Sequence, residues 1–551
     1  MRTRVLASLV GLILVGGARV ASPQPTQVLH EFTGYASADG GPTAPLILAS
    51  DGNLYGTTKQ TGEAHRGTIF RMTPSGVVTT LHTFIGGDDG AEPVGALLQA
   101  HDGSFYGTTS KGGRFDNGTS FRISLGGQLD ILHVFAGSPD GAGPGAALIQ
   151  VADGSFYGTT VEGGDTGNGT VFRMTADGTV TVVHSFAGSP ADGAAPMTIL
   201  QTADGTFYGV TNLGGTGNCG GDLYYRCAWG TIFTMTADGV TTVLHSFVGS
   251  PTGDGSNPTS IIRGRDGNFY GTTTHGGYWN DGTCPGCGIG AIFRMTPGGA
   301  VSTVHAFNTL DGANPIGGLL EAQDGRFYGT TSYGGGPPDY AGVVFAMTSS
   351  GVLTVLRKFE FPTGGGSEAG LVQVPDGTLY GTTRFGGVGF GVAFSLDAGG
   401  TYSVVHIFLG SVEGAQPIGP LVQVSDSNLY GATSRGGVYN HGTIFRMTPS
   451  RRDDGRVYLR RRGGRRLPDR WAGTGPGRKS VRHHVPQRRL RRRDHLPAHA
   501  LRPADHAALV PRHRGWKVPE HGSGPGARRQ LLRHDVLRWY VRPGHPFQDD
   551  A

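Results

Sequence analysis

Helical periodicity is absent from this chain. No stretch of twelve or more residues returns apolar side chains every third and fourth position, which excludes helix bundles and helical solenoids. Long hydrophobic runs are nearly absent too. The one apolar stretch, residues 5–15, is too short for a comfortable membrane span, and no other segment would cross a bilayer. Cysteine is scarce. Its four copies, Cys219, Cys227, Cys284 and Cys287, fall in two neighbouring segments and cannot staple the 551 residues as a whole. Missing as well is any isolated set of two or three carboxylates or histidines of the kind a glycan hydrolase or lyase brings together. Polar residues recur nearly alike along the chain, so no reaction can be read from them.

Glycine, in contrast, is abundant, at 98 of 551 residues against a usual share of about 7%. It clusters in turn phrases between short strand-like runs. Aromatics hold fixed positions between those turns, which favours a packed core over a disordered, low-complexity chain. The phrase Asp-Gly-x-x-Tyr-Gly-Thr-Thr recurs with central tyrosines Tyr55, Tyr106, Tyr157, Tyr208, Tyr270, Tyr328, Tyr380 and Tyr430. The intervals are 51, 51, 51, 62, 58, 52 and 50 residues. Self-similarity at that period marks one supersecondary unit copied many times, each copy burying its apolar face against its neighbours.

One unit is well represented by residues 81–124. Runs at 81–84, 93–99, 104–109 and 119–124 are rich in Val, Ile, Leu, Phe, Tyr and Thr, and turns bearing Gly, Asp or Pro separate them. Four short antiparallel strands in about 50 residues are the content of one propeller blade. Asp-Gly supplies the positive φ of a tight hairpin turn, and the glycine after each tyrosine lets another ring or backbone approach closely. Two phenylalanine series, Phe32 to Phe408 and Phe70 to Phe445, are the rings that adjacent blades would press together. Eight complete units, from Leu29 to Thr448, predict an all-β fold: a β-propeller of about eight four-stranded blades over residues 28–450. Two smaller rings, or an open array, are the alternatives.

The ends differ from this body. Residues 1–22 have the order of a secretory signal peptide: Arg2 and Arg4, the apolar stretch, then small residues at Gly16, Gly17, Ala18 and Ala21. Residues 451–551 carry 24 Arg and 2 Lys against 9 acidic residues, while residues 1–450 carry 20 basic and 32 acidic ones. At face value the tail is a nucleic-acid-binding arm. Yet the repeat phrase Asp-Gly-Asn-Phe-Tyr-Gly-Thr-Thr, translated from the third base of its codons, becomes Arg-Gln-Leu-Leu-Arg-His-Asp, and Arg529 to Asp535 have that sequence. A second echo begins at Arg478, 51 residues earlier and 51 beyond Ser427, which fills the turn-glycine position of the eighth phrase. The tail therefore reads as two further repeats out of frame, a basic and disordered segment whose charge names no partner.

The phrases Leu-His-x-Phe, Asp-Gly-Ala-x-Pro, Asp-Gly-x-x-Tyr-Gly-Thr-Thr-x-x-Gly-Gly and Gly-Thr-Ile-Phe-Arg-Met-Thr resemble the GloVer tandem repeat of exported bacterial proteins, over roughly residues 28–450. The resemblance implies a secreted or surface-attached propeller-like protein, with alternative C-terminal anchoring segments in its relatives and no catalytic residues to carry over. No anchoring segment is legible here.

Among candidates for chemistry, seven units place a histidine before the phenylalanine: His30, His82, His133, His184, His245, His305 and His406, with Arg357 in the eighth. Spread one per blade they cannot converge on a metal, and a repeated structural hydrogen bond is the better reading. Turn aspartates such as Asp89, Asp140, Asp192 and Asp311 offer too few carboxylates each for calcium. The cysteines sit in the two long inserts. Local disulfides 219–227 and 284–287 are expected of an exported chain, with a zinc site as the alternative. The same inserts carry Tyr224, Tyr225, Trp229, Tyr278 and Trp279, which either stack on a ligand or cover their own blades. The resulting expectation is an exported, monomeric, non-catalytic scaffold for an extracellular glycan or protein, without cofactor, metal or nucleic acid. A glycan hydrolase or lyase on the same scaffold is the alternative.

Overall fold

The computed structural model describes residues 19–20, 26–32, 41–42, 44–62, 64–216, 229–249, 254–277, 288–411 and 413–449. The rest of the leader, the four cysteines and the basic tail lie outside the described residues.

The recurring phrase folds as a closed local circuit. In the first copy the Asp51 carboxylate accepts the Asn53 N–H at 2.9 Å and the Tyr55 hydroxyl at 2.9 Å, while Gly52 takes the left-handed φ of 78° that the turn needs. The same aspartate–tyrosine bond recurs at Asp102–Tyr106, Asp266–Tyr270, Asp324–Tyr328 and Asp426–Tyr430. In the eighth copy Ser427 occupies the glycine position and keeps the positive φ, 63°. The paired threonines have a partner of their own. The second one bonds to the threonine that opens the next strand, as in Thr109–Thr119 and Thr160–Thr170, both at 2.9 Å.

Each copy builds one four-stranded antiparallel sheet. In the first blade the strands are Ile47–Leu48, Leu54–Thr58, Thr68–Met72 and Val78–Thr83, in that spatial order. Blades two to seven repeat the pattern over residues 91–134, 142–185, 193–246, 255–306, 320–358 and 372–407. The strand order places the first strand of each blade innermost and the fourth outermost. A bulge in the outermost strand, opposite the step from Ile69 to Phe70 in blade one, recurs in every blade. It inserts the Leu of Leu-His-x-Phe and leaves the histidine and phenylalanine on one face, their rings 4.9 Å apart at His82–Phe84. The described residues hold no helix beyond the 3₁₀ turn Gly87–Asp89, and none long and apolar enough to cross a membrane.

The eighth blade closes the ring. Its strands Leu429–Thr433 and Thr443–Met447 take as their outermost partner Gln27–Glu31, from the start of the chain, with Val28 opposite Phe445 and His30 opposite Ile444. The sequence repeat and the blade are thus offset by one strand. The strand that opens each repeat completes the previous blade, so the first repeat completes the last. A single closed ring of eight is the result, in place of an open array or two rings. Arg19–Val20 add a short parallel strand beside Tyr402–Ile407 of blade seven.

Between blades lie two aromatic layers. Tyrosines stack on the phenylalanine that starts the equivalent strand of the next blade, at 4.0–4.4 Å for Tyr55–Phe105, Tyr106–Phe156, Tyr157–Phe207, Tyr208–Phe269 and Tyr270–Phe327. Phenylalanine pairs fill all eight junctions, from Phe32–Phe70 at 5.2 Å to Phe408–Phe445 at 4.9 Å. The invariant glycine of the phrase makes room for them: a Cβ on Gly158 would stand 2.5 Å from the Phe172 ring. A backbone stitch runs alongside. The x residue of Asp-Gly-Ala-x-Pro adopts φ 55° at Glu92 and 56° at Asn257, and its N–H reaches back 2.7 Å to the carbonyl of Arg66 or Trp229 in the preceding blade.

Two predictions test this account. Gly158→Ala should overpack the junction and lower unfolding free energy by about 1–3 kcal/mol in denaturant titration. Burial, helped by the aspartate hydrogen bond, pushes Tyr55, Tyr270, Tyr328 and Tyr430 up from 10.0 to about 12. A raised folded value stabilises the fold below pH 10, and that contribution disappears as pH climbs through 12. Thermal melts should therefore weaken steeply from pH 10 to 12, in step with tyrosinate absorbance.

Candidate functional site

In an antiparallel four-stranded blade the connection between second and third strands emerges at the same end as the link to the next blade. Hydrogen bonds join the two sets: a glycine N–H of the inner connection reaches the link carbonyl at Gly113–Gly87, Gly215–Asp192, Gly277–Asp254, Gly336–Thr309 and Gly437–Gly410, at 2.5–3.1 Å. Short Asp-Gly and Gly-bearing turns occupy the opposite end. Among the described residues, one face therefore carries the long loops.

That face also carries the histidines, and the structure gives each a partner within its own junction. Nε2 of His82, His133, His184 and His245 meets Asp89, Asp140, Asp192 and Asp254 at 2.8–3.1 Å. His305 lies 3.2 Å from Asp311, without hydrogen-bond geometry. The same carboxylates accept link N–H groups, from Ile85 to Asp89 at 2.8 Å and from Ala136 to Asp140 at 2.9 Å. Both carboxylate functions are therefore engaged in holding loops, which accounts for the histidine–aspartate repeat in structural terms. At His406 burial holds the imidazole down at about 4 and raises its neighbour Glu413. With the imidazole neutral near pH 7, their separation of 3.6 Å is a contact and not an ion pair. No cluster of three potential metal ligands occurs among the described residues.

The junction of blades six and seven departs from the pattern. Arg357 replaces the histidine, donating to the Thr363 hydroxyl at 3.3 Å and lying 4.0 Å from Glu360. It stacks over Tyr402 of blade seven at 5.0 Å, and the Tyr402 hydroxyl donates to the Thr363 carbonyl at 2.7 Å. Thr363 stands where other links carry the capping aspartate, and Phe361 and Pro362 precede it. The Gly387 N–H makes no bond to the link, as is also true of its counterpart Gly164 in blade three. A cleft of about 380 Å³ opens there, lined by Phe361, Pro362, Phe385, Gly386, Gly387 and Gly389.

Exposed aromatics gather on the same face. The six most exposed among the described residues are Phe115, Tyr333, Tyr340, Phe361, Phe390 and Tyr439. All lie in its loops, and five belong to blades six to eight. Of the aromatics singled out from sequence, Trp229 is half-buried against the core between blades four and five. Its carbonyl accepts the Asn257 N–H. Tyr224, Tyr225, Tyr278 and Trp279 lie outside the described residues. The exposed loop aromatics escaped the sequence reading because repeat alignment directs attention to what recurs. A signal was present, since an aromatic stands shortly after Gly-Gly in Gly-Gly-Arg-Phe115, Gly-Gly-Val-Gly-Phe390 and Gly-Gly-Val-Tyr439.

Comparison with known proteins identifies the repeat. The Gloeobacter/Verrucomicrobia repeat matches residues 19–223, 225–387 and 286–458. No curated protein matches the chain. Solved structures similar to it include virginiamycin B lyase from Staphylococcus aureus, at 16% identity and TM-score 0.40, covering 67% of this chain and 98% of that one. A puromycin hydrolase is similar at 12% identity and TM-score 0.43, covering 73% and 61%. A gluconolactonase from Xanthomonas campestris is similar at 16% and 0.29, covering 54% and 83%. At such scores these likenesses bear on neither reaction nor ligand.

If the histidine–aspartate pairs serve the loops alone, Asp140→Ala should lower stability by about 2 kcal/mol. Ligand binding measured below the melting transition should be unchanged.

Proposed function

The chain belongs to the Gloeobacter/Verrucomicrobia repeat family, and on that footing we propose that it is an exported, non-catalytic propeller that binds an extracellular glycan or protein on its long-loop face. One observation carries the reading: the most exposed aromatic side chains among the described residues share that face. Exposed aromatic rings lose hydration at little conformational cost when a ligand covers them, and they dominate binding surfaces for that reason. The histidine–aspartate pairs of the face are tied into loop-holding contacts, which leaves recognition to other groups. The signal-like order of residues 1–22 supports export. Tyr224, Tyr225, Trp229, Tyr278 and Trp279, in the inserts of blades four and five, would extend the same surface.

The test is an array of glycans and extracellular proteins probed with the purified chain, followed by product analysis of each bound ligand. Binding without turnover is expected, weakened on the order of tenfold by a Tyr340→Ala/Tyr439→Ala pair. Release of cleaved product from a bound glycan would replace the scaffold reading with that of a hydrolase or lyase. Binding that ignores the loop substitutions would remove the face from consideration.

A further inference from the structure

We propose that the cleft in blade seven is a subsite for one pyranose ring of a neutral glycan; this rests on the binding reading above and narrows it. Three features converge there. Its walls are Phe361, Pro362 and Phe385, and its floor is Gly386, Gly387 and Gly389, so flat apolar faces flank a surface of bare backbone. The Phe385 ring is seated by glycine as well: a Cβ on Gly366 would stand 2.8 Å from it. At about 380 Å³ the cleft lies at the low end of ligand pockets, about 300–1,000 Å³, which suits one sugar ring better than a bulky cofactor.

Hydrogen-bonding groups stand beside the rings. The Gly387 N–H makes no bond to the link, unlike its counterparts Gly113, Gly215, Gly277 and Gly437. Arg384 and Glu368 form a 2.9 Å pair, with the guanidinium 5.4 Å from the Phe385 centroid and its Nε buried without a partner. The half-exposed guanidinium can donate to one hydroxyl while the carboxylate beside it accepts from the neighbouring one, the pattern of a vicinal diol. The surrounding charge cancels. Arg357 lies 4.0 Å from Glu360 and Arg384 2.9 Å from Glu368, Lys358 and Asp339 add one charge of each sign, and Asp339 already accepts the Phe361 N–H at 2.9 Å. A site without net charge complements a neutral polyol and offers no excess cation to a uronate or phosphate. Stacking supplies the affinity: the apolar face of a pyranose covers a phenyl ring as another ring would.

Calorimetric titration of the full chain with gluco-, manno- and xylo-oligosaccharides and with a polyuronate tests the assignment. At least one neutral series should bind and the polyuronate should not. Phe361→Ala and Phe385→Ala should each weaken binding on the order of tenfold, while Val77→Ala, in a turn of the opposite face, leaves it unchanged. Melting curves confirm that the variants remain folded; Arg384→Gln, which leaves the walls intact, supplies an independent reading and should also lose affinity. Neutral-glycan binding that survives all three cleft substitutions would overturn the subsite while leaving the face-wide reading intact. Preference for the polyuronate would overturn the neutral class. Absence of binding to every saccharide would overturn the sugar assignment, leaving the broader proposal to the protein half of the array.

Discussion

Everything in this molecule depends on aromatic packing between successive sheets. A four-stranded blade of this composition has apolar side chains on both faces and cannot bury them alone. Tyrosine-on-phenylalanine stacks and the phenylalanine pairs at all eight junctions give each blade its inner surface only because a neighbour is present. Such an array is complete only when its first and last members meet. The strand Gln27–Glu31 provides that meeting by pairing with Thr443–Met447. The Tyr430 hydroxyl then reaches the Pro74 carbonyl of blade one at 2.9 Å. Closure removes the two open ends that would otherwise expose an unpaired apolar face.

Once the junctions carry the stability, the loops at one end are released from packing duty and can vary. The variation is uneven. Blades one to four tie their histidines to aspartates by hydrogen bonds, whereas five of the six most exposed rings belong to blades six to eight. The single junction where arginine replaces histidine is also where the cleft appears. In a repeat protein, a feature that every copy shares belongs to the architecture. A feature confined to one copy needs another explanation, and binding is the explanation that fits side chains of this kind.

Much of the fold was legible from the residues. Strand content, blade size and copy number followed from period and turn chemistry. The reading of the histidines as repeated hydrogen bonds agrees with the pairs seen at His82, His133, His184 and His245, although their partners, seven to nine residues onward, were considered for calcium instead. The offset between repeat and blade was not legible, because periodicity has no phase: a period of 51 is the same wherever the unit is cut. The aromatic row was missed for a related reason. Phe115, Tyr340, Phe390 and Tyr439 occupy shifting loop positions, and only folding shows that those loops share one end.

Local chemistry, then, was written into the chain: Asp-Gly turns with their required φ, the aspartate–tyrosine circuit, the glycines cleared for rings, and the number of copies. These depend on contacts between residues close in sequence, so composition and spacing suffice to specify them. The tertiary structure decided the closing of the ring by the chain's own beginning, the gathering of exposed rings on one face, and the opening of a cleft at the junction where arginine replaces histidine. Each of those depends on groups from separate repeats, or from opposite ends of the chain, whose distance only the assembled ring determines.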